Sequence, residues 1–253
     1  MRIDLNCDLG ESFGQYIIGS DEEIMNYVSS VNIACGFHAG DPEIMEKTVK
    51  LAIEKGVSIG AHPGYPDLQG FGRRAMTMSN TALRSMMIYQ IGALKAFVES
   101  YGGKLVHVKP HGALYNLAAK DYEVALILAK AIYDVDKDLI FMGLAGSEMV
   151  RAGEKIGLKV CRETFADRRY TSELKLVARG TEGAIIEAID DSVNQCLKMI
   201  IDNMITTISG EEKEMTGDSI CIHGDNAHGI ELVKSLLESF KQNEIIVEAM
   251  SWI

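Results

Sequence analysis

The feature that most constrains this chain is the alternation of short apolar runs with longer stretches of helical period. Residues 3–7, 31–35, 57–61, 105–108, 139–142, 158–161 and 219–222 read as strands, with 245–247 as one further candidate. Most are apolar without alternation, as expected of strands covered on both faces. The helices between them have readable ends. Asp41-Pro42 supplies an N-cap and an N1 proline to a helix that stops at Gly56, and Ser79 caps a long helix running to Ser100 before Gly102-Gly103. Segments 121–133, 148–156, 182–208 and 227–241 follow the same period. A βαβα order implies a mostly parallel sheet. Seven or eight such units in 253 residues match a single closed β/α barrel occupying 1–253, with an open doubly wound sheet as the competing topology. The glycine-rich segment 63–78 reads as a functional loop, and the acidic stretch 210–217 as a solvated surface loop.

A net charge of −11, with no long run of Lys and Arg, argues against a nucleic-acid partner. It leaves ATP open, because a few cations in a pocket can hold a triphosphate within an acidic protein. The 5 cysteines are odd in number, widely spaced and without a C-x-x-C pair, which fits a reducing cytosol better than a disulfide framework or a structural zinc site. No apolar stretch reaches the roughly 18 residues of a membrane span, and residues 1–9 enter a strand pattern without the regions of a signal peptide. The expectation is a soluble cytoplasmic protein with no membrane partner.

The reactive side chains gather after the strands. His38, His62, His111 and His223 each follow a candidate strand, accompanied by Asp8, Glu11, Asp41, Glu163, Asp167 and Asp225. In parallel α/β folds those positions share one rim, where βα loops build active sites. Each group also has a structural reading. Asp8 could close an Asx turn on its own backbone, or could work with Glu11 on a cation or a proton. Asp41 reads as a helix cap. His38, flanked by Gly36 and Gly40, is open to a ligand, catalytic or packing role. Arg73 and Arg74 could grip phosphate or carboxylate oxygens, or could be a solvated pair on a loop. Lys109, amid apolar residues at a strand end, needs an anion nearby, and His107 should share its facing. The cysteines read as small buried hydrophobes. No G-x-S-x-G, P-loop or G-x-G-x-x-G motif is present, so neither a serine hydrolase nor a Walker-type ATPase is signalled.

These blocks carry a resemblance. Asp4–Glu11, Asn32–Pro42, Gly60–Arg74, His107–Asn116, Phe165-Ala166-Asp167-Arg168 and His223-Gly224-Asp225 resemble the LamB/YcsF family, in the same order and along the whole chain. The match thins between Tyr170 and Ala184. The resemblance implies a glycoside hydrolase/deacetylase-like barrel, often of seven strands. It implies cleavage of 5-oxo-L-proline to L-glutamate coupled to ATP hydrolysis, with Mg2+, in concert with separate B and C subunits. Within these blocks, the candidates for catalytic work are Asp8, Glu11, His38, His62, Lys109 and His111, and those for substrate contacts are Asn6, Arg73, Asp167, Arg168, His223 and Asp225. Phosphorylating the lactam oxygen would make its carbon electrophilic, a task for cations such as Lys109, Arg73 and Arg168 beside acid/base groups. Two alternatives stand beside it. One is a divalent-metal hydrolase or deacetylase of the same fold, with Asp8, His38 and His62 as ligands. The other is a non-catalytic partner subunit that binds a lactam.

Overall fold

Strand β1 (Arg2–Leu9) shows how the barrel is organised. Its residues alternate: Ile3, Leu5, Cys7 and Leu9 join the hydrophobic core, while Asp4 and Asn6 are buried among polar partners. The computed structural model describes residues 1–222, 227–250 and 252–253. After β1 come α1 (Asp21–Ile24), β2 (Ser30–Ala34), α2 (Pro42–Lys55), β3 (Ser58–His62), α3 (Asn80–Ser100), β4 (Leu105–Val108), α4 (Gly112–Ala118) and α5 (Tyr122–Val135). The chain continues through β5 (Ile140–Leu144), α6 (Glu148–Ile156), β6 (Val160–Phe165), α7 (Ile189–Leu197), β7 (Met204–Thr206), β8 (Glu212–Glu214), β9 (Ser219–Cys221), α8 (Ala227–Gln242) and β10 (Ile246–Val247).

Strands β1 to β6 pair in sequence order, β6 pairs with β9, and β9 pairs back with β1, all parallel. The barrel therefore closes with seven strands, and the open-sheet topology is excluded. The further candidate at 245–247 is not an eighth stave. β10 pairs only Arg2 and Ile3 of β1, beyond the stretch that β9 occupies. The helices around the strands are amphipathic as read. In α2, Met45, Val49 and Ala52 are buried, and the Asp41 side chain accepts from the amides of Glu43 and Ile44. Removing a side chain such as Met45 or Val49 from water contributes about 1.5–3 kcal/mol.

Two expectations fail. The helix read over 182–208 is confined to α7 and a π-helical turn at Lys198–Asp202; Asn203 then takes φ 54 and the chain enters β7. The β-branched run Ile205-Thr206-Thr207-Ile208 favours an extended chain over a further helical turn. The acidic stretch 210–217 is not wholly loop, because Glu212–Glu214 form β8, paired antiparallel with β7.

The barrel interior is polar at its base. Asp4 accepts from Ser29 at 2.7 Å, from Ser30 at 2.8 Å and from Ser219. Asn6 donates to Ser219 at 2.8 Å, and its oxygen accepts from Asn32 at 2.8 Å. His107 Nε2 lies 2.7 Å from Asn32 Oδ1. Gly60 makes room for that ring, because a Cβ there would lie 2.0 Å from His107 Nε2.

Burial pushes the Asp4 carboxyl up to about 6, against the hydrogen bonds from Ser219, Ser29 and Ser30. A carboxyl raised in the fold holds its proton more tightly than in the unfolded chain. Its contribution is thus complete below about pH 4 and lost as pH rises through about 6. The loss amounts to roughly 3 kcal/mol. Asp4→Asn removes this dependence. Thermal melts should show the variant gaining on the wild-type chain between about pH 4 and pH 7.5; parallel profiles would contradict the shift.

Candidate active site

The C-terminal ends of the strands bring together residues from four successive loops. Asp8 ends the interior row of β1, and Glu11 follows in a turn where Asp21 Oδ2 accepts from the Gly10 amide at 2.9 Å. His38 follows β2, His62 ends β3, and Lys109 and His111 follow β4. A buried glutamine on α3 holds the loop after His62. Gln90 accepts from the Gly64 amide at 3.0 Å and donates to the Gly64 carbonyl at 2.9 Å.

Lys109 is the centre of the lower layer, only 2% exposed. Its ammonium lies 2.9 Å from Asp8 Oδ1 and 2.7 Å from Glu163 Oε1, and it donates to Asn6 Oδ1 at 3.2 Å and Cys221 Sγ at 3.2 Å. Tyr115 donates to the other Glu163 oxygen at 2.7 Å, and Asn32 donates to Asp8 Oδ1 at 2.9 Å. Burial opposes the charge on Lys109, yet Asp8 and Glu163 hold it well above its ordinary value. Burial opposes the charge on Asp8 too, yet His62 and Lys109 keep its carboxyl well below the usual carboxylate range.

The upper layer is a histidine cluster. His62 Nδ1 lies 2.7 Å from the Lys109 carbonyl, and His111 Nε2 lies 2.8 Å from the Phe71 carbonyl. The facing nitrogens, His62 Nε2 and His111 Nδ1, are 2.9 Å apart. His38 stacks on His111 with ring centroids at 3.7 Å and an interplanar angle of 3°. Gly72, at φ +62, permits this packing; a Cβ there would sit 2.7 Å from both His111 and His38. Burial, then the neighbouring His62, pushes His111 down to about 3. Burial, then His111 and His62, lowers His38 well below its ordinary value. Burial, then the charge of Asp8, pushes Glu11 up to about 8.

Above these layers lies a cavity of about 400 Å³, within the range of small-molecule sites. Asp8, Glu11, His62, Lys109 and His111 line it together with Arg73, Arg168 and Arg179. The paired arginines of the loop part company. Arg74 bonds Asp67 and fixes the loop, while Arg73 lines the cavity and lies over the Phe71 ring at 5.0 Å.

Not every expected contact residue reaches the cavity. Asn6 sits one layer below Asp8, fully buried, because the two-residue period of β1 stacks it beneath the carboxylate. Asp167 is half-buried and is not among the described residues lining the cavity. His223 and Asp225 lie outside the described residues. Sequence reasoning places Glu163 on the rim without a role, and it gives none to Asn32, Tyr115, Lys120 or Arg179. The interior facing of Glu163 depends on strand register, and Arg179 falls in the stretch where the family resemblance thins.

The profile of the LamB/YcsF family matches residues 3–253. The chain is 52% identical over 244 residues to the A subunit of 5-oxoprolinase from Clostridium beijerinckii, covering 96% of each chain. It is 51% identical over 250 residues to the corresponding A subunit from Bacillus subtilis, covering 99% of this chain and 97% of that one. The crystal structure of a lactam utilization protein from Thermus thermophilus superposes with a TM-score of 0.94 at 39% identity, covering 99% of this chain and 100% of that one.

Lys109→Met leaves two buried carboxylates without their cation. The expected cost is about 3–5 kcal/mol, a fall in Tm on the order of 10 °C for a chain of this size. Adding Glu163→Gln should restore part of that loss by removing one of the stranded charges. An unchanged melting temperature for Lys109→Met would show that the ion cluster does not form.

Proposed function

We propose the function of this chain from one premise: it belongs to the LamB/YcsF family. The chain acts as the A subunit of an ATP-dependent 5-oxoprolinase, cleaving 5-oxo-L-proline to L-glutamate together with B and C subunits. ATP, with Mg2+, is the co-substrate of the assembled enzyme. Residues 1–253 form one barrel domain, which works in the cytoplasm; its free, buried cysteines suit a reducing compartment. The names of the relatives support the reaction, and one structural observation carries it: an acid/base cluster and three arginines line one cavity.

A five-membered lactam is a stable amide whose carbonyl needs activation and whose ring nitrogen needs a proton. Its carboxylate and a phosphoryl group are both anionic, and Arg73, Arg168 and Arg179 supply guanidinium groups that match such oxygens. Lys109 keeps Asp8 ionised, with its second oxygen Oδ2 3.3 Å from His62 Nε2. That carboxylate is placed to orient an attacking water. His62 and His111, whose facing nitrogens are 2.9 Å apart, both line the cavity beside that carboxylate. Burial excludes bulk water from this cluster and strengthens each electrostatic contact.

The test is glutamate production from 5-oxoproline by this chain alone and with its B and C partners. The expected result is negligible turnover alone and ATP-dependent turnover in the complex. Asp8→Asn in the complex should lower kcat roughly 100-fold or more, the scale of general acid/base work, while Arg73→Ala should act chiefly on KM. Robust turnover by the isolated chain, or full activity of the Asp8→Asn complex, would contradict the proposal.

A further inference from the structure

Two backbone carbonyls fix the tautomers of the facing histidines. A carbonyl only accepts, so His62 Nδ1, at 2.7 Å from the Lys109 oxygen, carries a hydrogen and, in the neutral ring, leaves Nε2 with its lone pair, 3.3 Å from Asp8 Oδ2. His111 Nε2, at 2.8 Å from the Phe71 oxygen, likewise carries the hydrogen and leaves Nδ1 bare. The two bare nitrogens point at each other across 2.9 Å. Around them stand further electron-pair donors. Glu11 Oε1 is 3.8 Å from His111 Nδ1 and 3.6 Å from His38 Nε2, both beyond hydrogen-bond reach. Glu11 Oε1 and both His38 nitrogens are buried without a hydrogen-bond partner. Burying such groups unsatisfied is costly.

A single proton between His62 and His111 would relieve that pair and leave Glu11 and His38 as they are. The Lys109 ammonium does not help, being held by Asp8 and Glu163. One cation satisfies all four. We propose that Glu11 Oε1, His38 Nε2, His62 Nε2 and His111 Nδ1 form a binding site for one divalent first-row transition metal, with Zn2+ the best match. The four ligand atoms lie within 4.8 Å of one another. Tetrahedral donors about 2.0–2.1 Å from zinc stand roughly 3.4 Å apart, so completing the site requires the His38 ring, whose nitrogens make no hydrogen bond, to turn out of its parallel stack on His111. Three imidazoles and a carboxylate are the donor set that zinc and its neighbours prefer. The carbonyls behind His62 and His111 are the outer partners that orient metal-bound imidazoles.

This set differs from the one read in the sequence. His38 and His62 remain, Asp8 is tied through Oδ1 to Lys109 and Asn32 while its Oδ2 lies 3.3 Å from His62 Nε2, and Glu11 and His111 complete the cluster. The inference goes beyond the lactam reading and stands independently of it, since metal binding is measured without substrate, ATP or partner subunits.

The experiment takes the full chain purified without chelator and measures its metal content. The chelator-treated chain is then titrated calorimetrically with Zn2+ alone. The expected result is one equivalent bound, with a Kd below about 1 µM. His62→Gln and His111→Gln, each confirmed folded by circular dichroism, should weaken binding roughly 100-fold or more, whereas Asp167→Asn should not. Co2+ added to the wild-type chain should give the visible absorption of a low-symmetry nitrogen and oxygen site, a readout that needs no variant. Absence of bound metal together with no saturable Zn2+ binding would overturn the proposal in favour of a shared proton. Undiminished binding in both histidine variants would overturn it in favour of the acidic surface.

Discussion

One buried ammonium organises this barrel. Lys109 follows β4, while its acceptors Asp8, Asn6, Glu163 and Cys221 come from β1, β6 and β9. A charge in such a place costs several kcal/mol in lost hydration, offset only if every acceptor is in position. Closing the barrel and assembling the site are therefore the same condition. The requirement extends downward through Asn6, Asn32, Ser219 and Asp4, a hydrogen-bonded column where many β/α barrels stack branched apolar side chains. It also extends upward, because Lys109 is the residue whose carbonyl fixes the His62 ring.

The parts of the site that can be read from sequence are those set by strand order alone. Residues just past the C-terminal ends of parallel strands must meet on one rim, so His38, His62, Lys109 and His111 converge as the alternation of elements requires. Residues inside strands and helices are harder. Whether Asn32 on β2 and Glu163 on β6 face the barrel axis depends on register, and Tyr115 reaches Glu163 from the first turns of a helix that periodicity does not reveal. Strand number is open in the sequence for a similar reason. Residues 245–247 have strand composition, but closure of β9 onto β1 leaves them only the lower end of β1. The segment after residue 182 misleads because its helical period hides a β-branched run that ends in the β7–β8 hairpin.

The site is layered by charge. At the base, burial favours the neutral form of Asp4. Above it, the Lys109 ammonium lies between the carboxyl groups of Asp8 and Glu163 and binds both. Above that layer, burial holds His38 and His111 away from the imidazolium form. Arg73, Arg168 and Arg179 line the same cavity. Such an order presents cations to an incoming anion and keeps proton-handling groups in a dry wall, an arrangement suited to opening a stable cyclic amide.

The most direct test of the proposed chemistry is a crystal structure of the assembled enzyme with 5-oxo-L-proline bound. The lactam should lie in the barrel-mouth cavity, its carboxylate toward the arginines and its amide within reach of Asp8 and His111. A lactam bound with no contact to the strand ends of this chain would contradict that chemistry.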